Sequence, residues 1–303
     1  MTRQAVTKAL ALAALAFAVV AAGAAAGRAR TSSSAPVLFD DFSYTSTSQL
    51  SAHGWIVRTR PGWPGVPGAS FRAANVTVGH GILRMTSSTD GTYAGTTQTQ
   101  ICQQRKFLAG TYASHVRFRD APLYGPAGDQ PVESFYTISP LVRPLDPNYS
   151  EIDFEYLPHG GWGDPQSVGY AAWETYSPAP HWIAVSSAHR QNRSLSGWHT
   201  LVLQVAHGTM TFYVDGSRVA QLGGRYYPEV PMSINYNLWF IPGGLDRSRA
   251  RRAYAEDIDW VYHAAGAVLS PAQVQQTVRS LQRDDVSFAD TVPASGLASP
   301  CNL

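Results

Sequence analysis

Short stretches in which apolar and polar residues alternate make up most of the chain, from Val37 to about Ala264. A period of two is typical of β-strands with one buried face, and Gly and Pro residues separate the stretches. The clearest unit predicts three strands joined by turns at His207-Gly208 and Asp215-Gly216, the second a favoured hairpin pair. Predicted strands include residues 81–86, 97–102, 110–118, 200–206 and 209–214. The pattern therefore predicts an all-β domain over residues 37–265, in which two sheets form a sandwich.

One segment near the C-terminus has a helical pattern instead. Ser270 is a candidate N-cap, and Pro271 suits the first helical position. Apolar residues then repeat at intervals of four and three positions, at Val274, Val278 and Leu281. This spacing predicts an amphipathic helix that ends near residue 283. We expect residues 266–303 to form a short helix and a tail laid over the sandwich.

The first 26 residues resemble a secretory signal peptide. Arg3 and Lys8 precede a run of small apolar residues, which ends in Ala24-Ala25-Ala26. The alternative is an uncleaved membrane anchor, because the run is just long enough to span a bilayer. Its Ala-rich, weakly hydrophobic composition favours cleavage. We predict a signal peptide (1–26), a polar linker (27–36) and a secreted, extracellular protein that has no membrane contact after cleavage.

Charge and cysteine content narrow the partners and the compartment. Removal of Arg3 and Lys8 with the signal lowers the 23 basic residues to 21, which equals the 21 acidic ones. A neutral chain without a basic run predicts no nucleic-acid partner, and we expect a monomer. Cys102 and Cys301 fit one disulfide in an oxidising compartment, with two unpaired thiols as the alternative.

The stretch SEIDFEY, residues 150–156, places three acids at alternate positions. In a helix the middle acid would point away from the other two, whereas in a strand all three share one face. The strand also gathers the apolar residues on the opposite face, as a core requires: Ile152, Phe154 and Tyr156. Acids on one strand face lie about 6.6 Å apart and raise one another's pKa values. The row is either a solvated sheet face or a functional cluster.

Aromatic residues surround this strand in the sequence: Phe135, Tyr136, Tyr149, Trp162, Tyr170, Trp173 and Trp182. Aromatic faces stack on the apolar faces of sugar rings, and paired carboxylates are the usual catalysts of glycosidic bond cleavage. The alternative for each ring is packing in the core. Together the acids and rings favour a carbohydrate-active site.

At this point the chain resembles the laminarinase and lichenase family, glycoside hydrolase family 16. Glu151-Ile152-Asp153-Phe154-Glu155 is similar to the family's E-x-D-x-E signature without a bulge. Further matching segments run in the family's order: FRAANV (71–76), ESFY (133–136), GWHT (197–200), YVDG (213–216), NYNLW (235–239) and DIDWVY (257–262). The resemblance implies a concanavalin A-like jelly-roll sandwich of two curved antiparallel sheets with a cleft across the concave one. It also implies a nucleophile at Glu151, an acid/base at Glu155 and an assisting carboxylate at Asp153.

The resemblance extends to substrate-binding positions. Tyr149, Trp173, Asn237 and Trp239 correspond to cleft positions, and Gln100 stands where many members carry an acid. Phe135, on the strand before the signature, is a further candidate for substrate binding in the cleft. Trp63 could line one arm of the cleft or pack on its own prolines. Asp259 corresponds to a calcium ligand of many members, with an ordinary strand-end Asp as the alternative. No cofactor is expected apart from this candidate structural calcium.

The sequence thus predicts a secreted retaining endo-glycosidase that hydrolyses a β-linked polysaccharide, with β-1,3 or mixed-linkage β-glucan as the favoured substrate. One alternative keeps the chemistry but transfers the glycosyl group to a sugar, as a transglycosylase does. The other is a non-catalytic, lectin-like module that uses its acids to bind calcium or sugar hydroxyls.

Overall fold

Extended backbone dominates residues 35–178 and 180–302, the part of the chain that the computed structural model describes. The strands are, in chain order, β1 (Val37–Asp40), β2 (Ile56–Val57), β3 (Ser70–Phe71), β4 (Val76–Gly79), β5 (Ile82–Thr89), β6 (Thr97–Cys102), β7 (Gly110–Phe118), β8 (Pro131–Ile138), β9 (Glu151–Leu157), β10 (Ser167–Ser177), β11 (Ile183–Gln191), β12 (Gly197–Ala206), β13 (Thr209–Val214), β14 (Ser217–Gly223), β15 (Ser233–Phe240), β16 (Arg252–Ala265) and β17 (Phe288–Asp290). The helices are α1 (Ser48–Ala52) and α2 (Pro271–Arg283), with 3₁₀ turns at Ala73–Asn75, Gly224–Tyr226 and Pro300–Asn302. The all-β prediction is confirmed.

These strands form two facing sheets. The cleft sheet has the strand order β11-β10-β9-β8-β15-β6-β2. The back sheet has the order β14-β13-β12-β7-β16, and beyond β16 it continues with β5-β4 beside one half of that strand and β1-β17 beside the other. All of these pairs are antiparallel. The first residues of β6 also pair with β3 and β5, so the two sheets meet at this edge.

An apolar layer fills the space between the sheets. On β9 the side chains of Ile152, Phe154 and Tyr156 are buried in it, and the Phe154 ring lies 5.2 Å from that of Phe212 on β13. This contact joins the cleft sheet to the back sheet. Because side chains alternate along a strand, the acids of β9 must face away from the back sheet. The predicted division of SEIDFEY into a core face and an acidic face is thus confirmed.

The C-terminal helix begins where the sequence predicts. Ser270 Oγ accepts a hydrogen bond from the Gln273 backbone N–H at 3.3 Å, and Gln273 Oε1 accepts one from the Ser270 backbone N–H at 2.8 Å. This reciprocal capping box satisfies two backbone donors that the first helical turn leaves unpaired. Val274 and Val278 pack on the outer face of the back sheet, in a cluster that includes Trp260.

The segment after α2 is more than a tail laid over the sandwich. β17 pairs with β1 and so extends the back sheet. Lys106 Nζ lies 2.5 Å from Asp290 Oδ2, which ties this segment to the body. The chain then reaches the edge of the cleft sheet, where Cys301 forms the predicted disulfide with Cys102.

Three further points concern the predicted N-terminal segments and the helices. The predicted signal peptide and residues 27–34 of the predicted linker lie outside the described residues. Among the residues that are described, we find no helix with the length and apolar character needed to cross a membrane. The short helix α1 was not predicted, because its five residues carry only one buried apolar side chain, that of Leu50.

Candidate active site

The three acids of β9 lie on the floor of a cleft of about 900 Å³. β9 is placed between β8 and β10, near the middle of the cleft sheet. Glu151, Asp153 and Glu155 all line the cleft, together with the residues opposite them in the neighbouring strands, such as Tyr136 and Trp173. We call these three residues the cleft acids. Their common orientation follows from the strand period alone.

Hydrogen bonds order two of the cleft acids. The Tyr149 hydroxyl donates to Glu151 Oε2, from a position two residues earlier in the chain. Trp173 Nε1 donates to Asp153 Oδ2 at 2.9 Å from β10. The Glu151 and Asp153 carboxyls lie on the same face of β9, and each acts on the pKa of the other. A hydrogen bond between two carboxyls needs a proton on one of them.

Burial raises the pKa of every cleft acid. It raises the pKa of Glu151 to about 8, with a further contribution from the charge of Glu155, while hydrogen bonds from Tyr149 and Asp153 act in the opposite direction. Burial and the charges of both glutamates raise the pKa of Asp153 well above its ordinary value. Burial raises the pKa of Glu155 to about 7 although the nearby Arg190 lowers it. Near neutral pH the cluster therefore retains protons and does not carry three negative charges.

A polar chain forms the floor beside the cleft acids. Gln100 Nε2 donates to the Tyr136 hydroxyl at 2.6 Å, and Gln100 Oε1 accepts from Arg58 Nη1 at 2.7 Å. Arg58 also lies over the Phe71 ring at 3.8 Å. The position of Gln100 in the cleft agrees with its predicted placement. Its amide is held by partners on both sides, so it presents a fixed set of polar atoms.

Aromatic rings form much of the remaining wall. The Trp239 ring on β15 lies 5.9 Å from that of Trp162, and the Trp173 ring lies 6.3 Å from those of Tyr176 and Trp182. Trp162 and Trp182 are each about half exposed, at 52% and 53%. Large flat apolar rings that remain accessible in a cleft are suited to stacking on sugar rings. These rings therefore provide flat apolar surfaces for a sugar chain close to the cleft acids.

Six of the seven predicted substrate-binding residues line the cleft: Trp63, Gln100, Tyr149, Trp173, Asn237 and Trp239. The buried Asn237 Oδ1 has no hydrogen-bond partner within residues 35–178 and 180–302, so it can accept from a ligand hydroxyl. Whether these residues bind substrate stays a prediction.

Phe135 is the exception and its predicted cleft position is wrong. It pairs with Phe154 across β8 and β9, its ring stacks 5.3 Å from that of Tyr236, and it is 1% exposed. Residues directly opposite in an antiparallel pair share a face, so Phe135 must join Phe154 in the core. Its neighbours Ser134 and Tyr136 face the cleft in its place.

Calcium binding at Asp259 stays a prediction. His115 Nδ1 lies 2.8 Å from Asp259 Oδ2. Within the described part of the chain, no group of three or more His, Cys, Asp or Glu residues is arranged to hold a metal ion. Calcium takes six to eight oxygen ligands, most of them from carboxylates and carbonyls. Burial and, to a smaller extent, the charge of the nearby Asp259 raise the pKa of Asp41, so a second carboxyl lies in this region.

Sequence reasoning missed two arginines and one tyrosine of the cleft. Arg58 follows β2, Arg190 lies near the end of β11, and Tyr176 packs on Tyr149 at 5.2 Å. Arg58 and Arg190 lie far from SEIDFEY in the chain, whereas Tyr176 lies on the next strand, β10. Ser186, Ala188 and Arg190 are every second residue of β11, and all three line the cleft. This period of two in the sequence could have indicated that Arg190 faces the cleft.

Comparison with known proteins identifies the fold. No family model matches the chain, and no curated protein matches it. Among solved structures, it is similar to a β-1,3-1,4-glucanase (lichenase) derived from a mouse hindgut metagenome, at 21% identity and a TM-score of 0.56 over 76% of this chain and 99% of that chain. It is also similar to a GH16 protein of Bacteroides ovatus in complex with a mixed-linkage glucan product, at 17% identity and a TM-score of 0.56 over 74% and 98%.

A third similar structure comes from a protein with a different substrate. This is the kappa-carrageenase of Pseudoalteromonas carrageenovora in complex with an oligosaccharide, at 13% identity and a TM-score of 0.56 over 79% of this chain and 98% of that chain. These likenesses confirm the predicted resemblance at the level of the fold, which is the jelly roll of family 16 glycoside hydrolases.

Proposed function

We propose that this jelly roll is a retaining glycoside hydrolase that cleaves internal bonds of a β-linked polysaccharide. The observation that carries the proposal is the set of cleft acids, which hold protons near neutral pH on the floor of an aromatic cleft. Cleavage of a glycosidic bond needs one carboxylic acid and one carboxylate within a short distance of the same bond. The fold of the similar glucanases and carrageenase supports the same class of activity.

In the first step Glu155 donates its proton to the leaving glycosidic oxygen while a Glu151 oxygen attacks the anomeric carbon. The pKa of Glu155, raised to about 7, keeps this acid protonated at the working pH. Glu151 must be ionised to attack although its pKa, about 8, is above that of Glu155, so the reactive form is the one in which Asp153 and Glu155 hold the protons of the cluster. The positive charge that develops on the sugar ring favours this form. The Tyr149 hydroxyl donates to Glu151 and stabilises that anion.

Asp153 acts as the proton-holding partner of Glu151. It has the most strongly buried carboxyl of the three and hydrogen-bonds to Glu151, so a proton on Asp153 provides a second donor to the nucleophile. The Trp173 indole donates to its other side and fixes the carboxyl plane. Loss of this proton would place a second charge beside Glu151 and weaken the arrangement.

The second step releases the sugar from Glu151. Once the ester has formed, Glu151 carries no charge, so the pKa of Glu155 falls and its carboxylate can take a proton from water. That water attacks the anomeric carbon and regenerates both acids. Retaining enzymes have carboxyl pairs about 5–5.5 Å apart, and such a separation of the Glu151 and Glu155 carboxyls is part of this proposal.

We propose β-1,3 or mixed-linkage β-glucan as the substrate. Half-exposed indoles such as Trp63, Trp162 and Trp182 suit the flat apolar faces of unsulfated sugars. Two of the similar structures are described as acting on or binding mixed-linkage glucan, and the third binds carrageenan. Secretion to the extracellular space, directed by residues 1–26, is part of the same proposal because polysaccharides of this size do not enter cells.

The test measures reducing ends released from a panel of laminarin, mixed-linkage glucan, carrageenan and porphyran, with product masses recorded alongside. We expect release from a β-glucan and none from the Glu151→Gln variant, which should melt at the wild-type temperature. Products longer than the substrate would indicate transglycosylation. Binding without any bond cleavage by the wild type would indicate a lectin-like module and refute the hydrolase.

A further inference from the structure

Two loops from opposite edges of the cleft sheet meet above the cleft acids. Trp63 lies in the segment that follows β2, the strand at one edge of this sheet. Trp182 directly precedes β11, the strand at the opposite edge. Their rings lie 6.2 Å apart between centroids.

The positions of these loops show that the contact must cross the cleft. Neighbouring strands are about 4.8 Å apart, so the outer strands of a flat seven-stranded sheet lie about 29 Å apart. The Trp182 ring lies 5.4 Å from that of Tyr176 on β10, and the Trp63 ring lies 5.7 Å from that of Trp239 on β15. Between β10 and β15 run β9, which carries the cleft acids, and β8. The two indoles therefore meet across the strands that form the catalytic floor.

We call the two loops that carry Trp63 and Trp182 the arms of the cleft. Polar contacts fix the Trp63 arm to the rest of the domain. Arg58 Nη2 donates to the Trp63 carbonyl at 3.2 Å. Gln98 reaches the same arm from β6: its Nε2 donates to the Pro64 carbonyl at 3.4 Å, and its Oε1 accepts from the Val66 backbone N–H at 3.2 Å. Val66 itself is buried. These contacts hold Trp63 over the cleft although its ring is 53% exposed.

We propose that Trp63 and Trp182 form an aromatic bridge that makes the cleft a passage, so that the protein selects glycan chains that can be threaded by an end. The proposal rests on the proposed function and adds a specificity to it. A linear chain enters beneath the bridge and stacks against its rings, and an internal bond then lies over the cleft acids. A cyclic glycan has no free end that can enter beneath the bridge, so the two rings exclude it from the cleft acids.

The first test compares a linear β-glucan with a cyclic β-glucan of similar size, which has no chain end. For the wild type we expect kcat/KM to be at least about tenfold higher on the linear substrate, and for the Trp63→Ala/Trp182→Ala variant we expect this ratio to fall to about two or below. The double variant also loses stacking surface, so its KM on linear chains should rise; the ratio is the decisive quantity. Equal rates of wild-type cleavage on both substrates would overturn the proposal.

Two matched variants separate the bridge from general stacking. Trp162→Ala removes a cleft indole that is as exposed as Trp63 and Trp182 but contacts Trp239 and does not join the two arms. This variant should raise KM on both substrates without changing the ratio of kcat/KM between the linear and the cyclic glucan. Trp198→Ala, an exposed indole on the back sheet, should change neither. A ratio that falls equally in Trp162→Ala would show that the selection does not depend on the bridge.

A second test detects the bridge without any substrate. In a Trp63→Cys/Trp182→Cys variant, a short bifunctional thiol reagent should cross-link the two arms, and the cross-linked protein should still cleave the linear glucan but not the cyclic one. Failure to cross-link, when a monofunctional reagent labels both cysteines, would overturn the bridge. If the wild type cleaves neither glucan, the proposed function fails and the chain-end selection with it, whereas the cross-link still reports the contact.

Discussion

The molecule carries two acidic stretches with similar sequences and opposite surroundings. The cleft acids belong to EIDFE on β9, and the second group, which we call the back acids, consists of Asp257 and Asp259 in EDID on β16. The first acid of that stretch, Glu256, is fully buried in the core and is considered separately. Asp257 is held by Arg84 at 2.6 Å and Arg119 at 2.5 Å, which lower its pKa. Asp259 contacts His115. The cleft acids have no such close cation within the described residues; Arg190 is the cation that acts on them, and it lowers only the pKa of Glu155.

This difference shows what makes an acidic cluster reactive. A carboxylate paired with arginine is stabilised as an anion and neither donates a proton nor attacks readily. Carboxyls that are buried without a counter-ion keep their protons and compete for them, which produces the acid and the nucleophile that glycosidic cleavage needs. The number of acids in the sequence does not show which of the two groups is reactive, whereas the number of cations beside each group does.

The largest expected effect contrasts one acid from each cluster. Glu155→Gln should lower kcat/KM on polysaccharide by about 10²–10⁴-fold, because the leaving oxygen loses its proton donor. Asp259→Asn should leave kcat/KM within about twofold of wild type, because its carboxylate is a 33% exposed partner of His115 on the back sheet. Initial rates of reducing-end release measure both. Equal losses in the two variants would mean that the cleft acids have no special role.

The next largest effect concerns the free energy of unfolding. Asp257→Asn leaves Arg84 and Arg119 without their common anion and should lower that free energy by about 2–4 kcal/mol, which is about 1 kcal/mol less than for a fully buried pair because Arg84 is 44% exposed. Activity per folded molecule should not change. Urea unfolding measures the loss, with Asp259→Asn as the milder control. A fully stable Asp257→Asn protein would show that this ion pair does not matter for stability.

Glu256 is buried in the core, and both of its carboxyl oxygens lack a hydrogen-bond partner within the described residues. The pH dependence of the free energy of unfolding tests the effect of this burial. Burial and the charge of Glu133 raise the pKa of Glu256 well above its ordinary value of 4.5. The folded protein then holds a proton that the unfolded chain releases, so the free energy of unfolding falls as the pH rises above about 5. Glu256→Gln should make this fall between about pH 5 and 8 clearly shallower. Urea unfolding at several pH values measures the slope, and an unchanged slope would assign it to other groups.

The smallest effect is a shift of the pH profile. Cleavage needs protonated Glu155, so kcat/KM should fall as the pH rises through about 7, the raised pKa of this group. Arg190 lowers that pKa, and Arg190→Gln should therefore move the alkaline limb to higher pH. Arg218→Gln on the back sheet serves as the control and should not move it. A shift to lower pH would contradict the assignment of Glu155 as the acid.

Local patterns predicted those parts of the fold that depend on neighbours in sequence. The bounds of β6, β7 and β13 match the predicted strands, and the capping box of α2 begins at Ser270 as expected. The common face of the cleft acids also follows from local geometry, because a strand has one period. These features depend on residues that lie within about ten positions of each other.

Other features depend on pairing between distant strands. The face of Phe135 is set by its register with Phe154, and the segment ESFY offers one aromatic residue to each face. The cations beside Asp257 come from β5 and from the end of β7, far away in the chain. Trp63 and Trp182 meet through loops from opposite edges of a sheet. No local pattern encodes such contacts, which is why sequence reasoning missed them.

The stereochemistry of the first product tests most directly the claim that Glu151 and Glu155 act as nucleophile and acid. Proton NMR of the anomeric region, recorded within the first minutes of digestion of a β-glucan, follows the configuration of the new reducing end before it equilibrates. Attack by Glu151 and then by water inverts the anomeric carbon twice, so the β-anomer should appear first. Initial appearance of the α-anomer would mean that water attacks directly, and the account of the cleft acids would then be wrong.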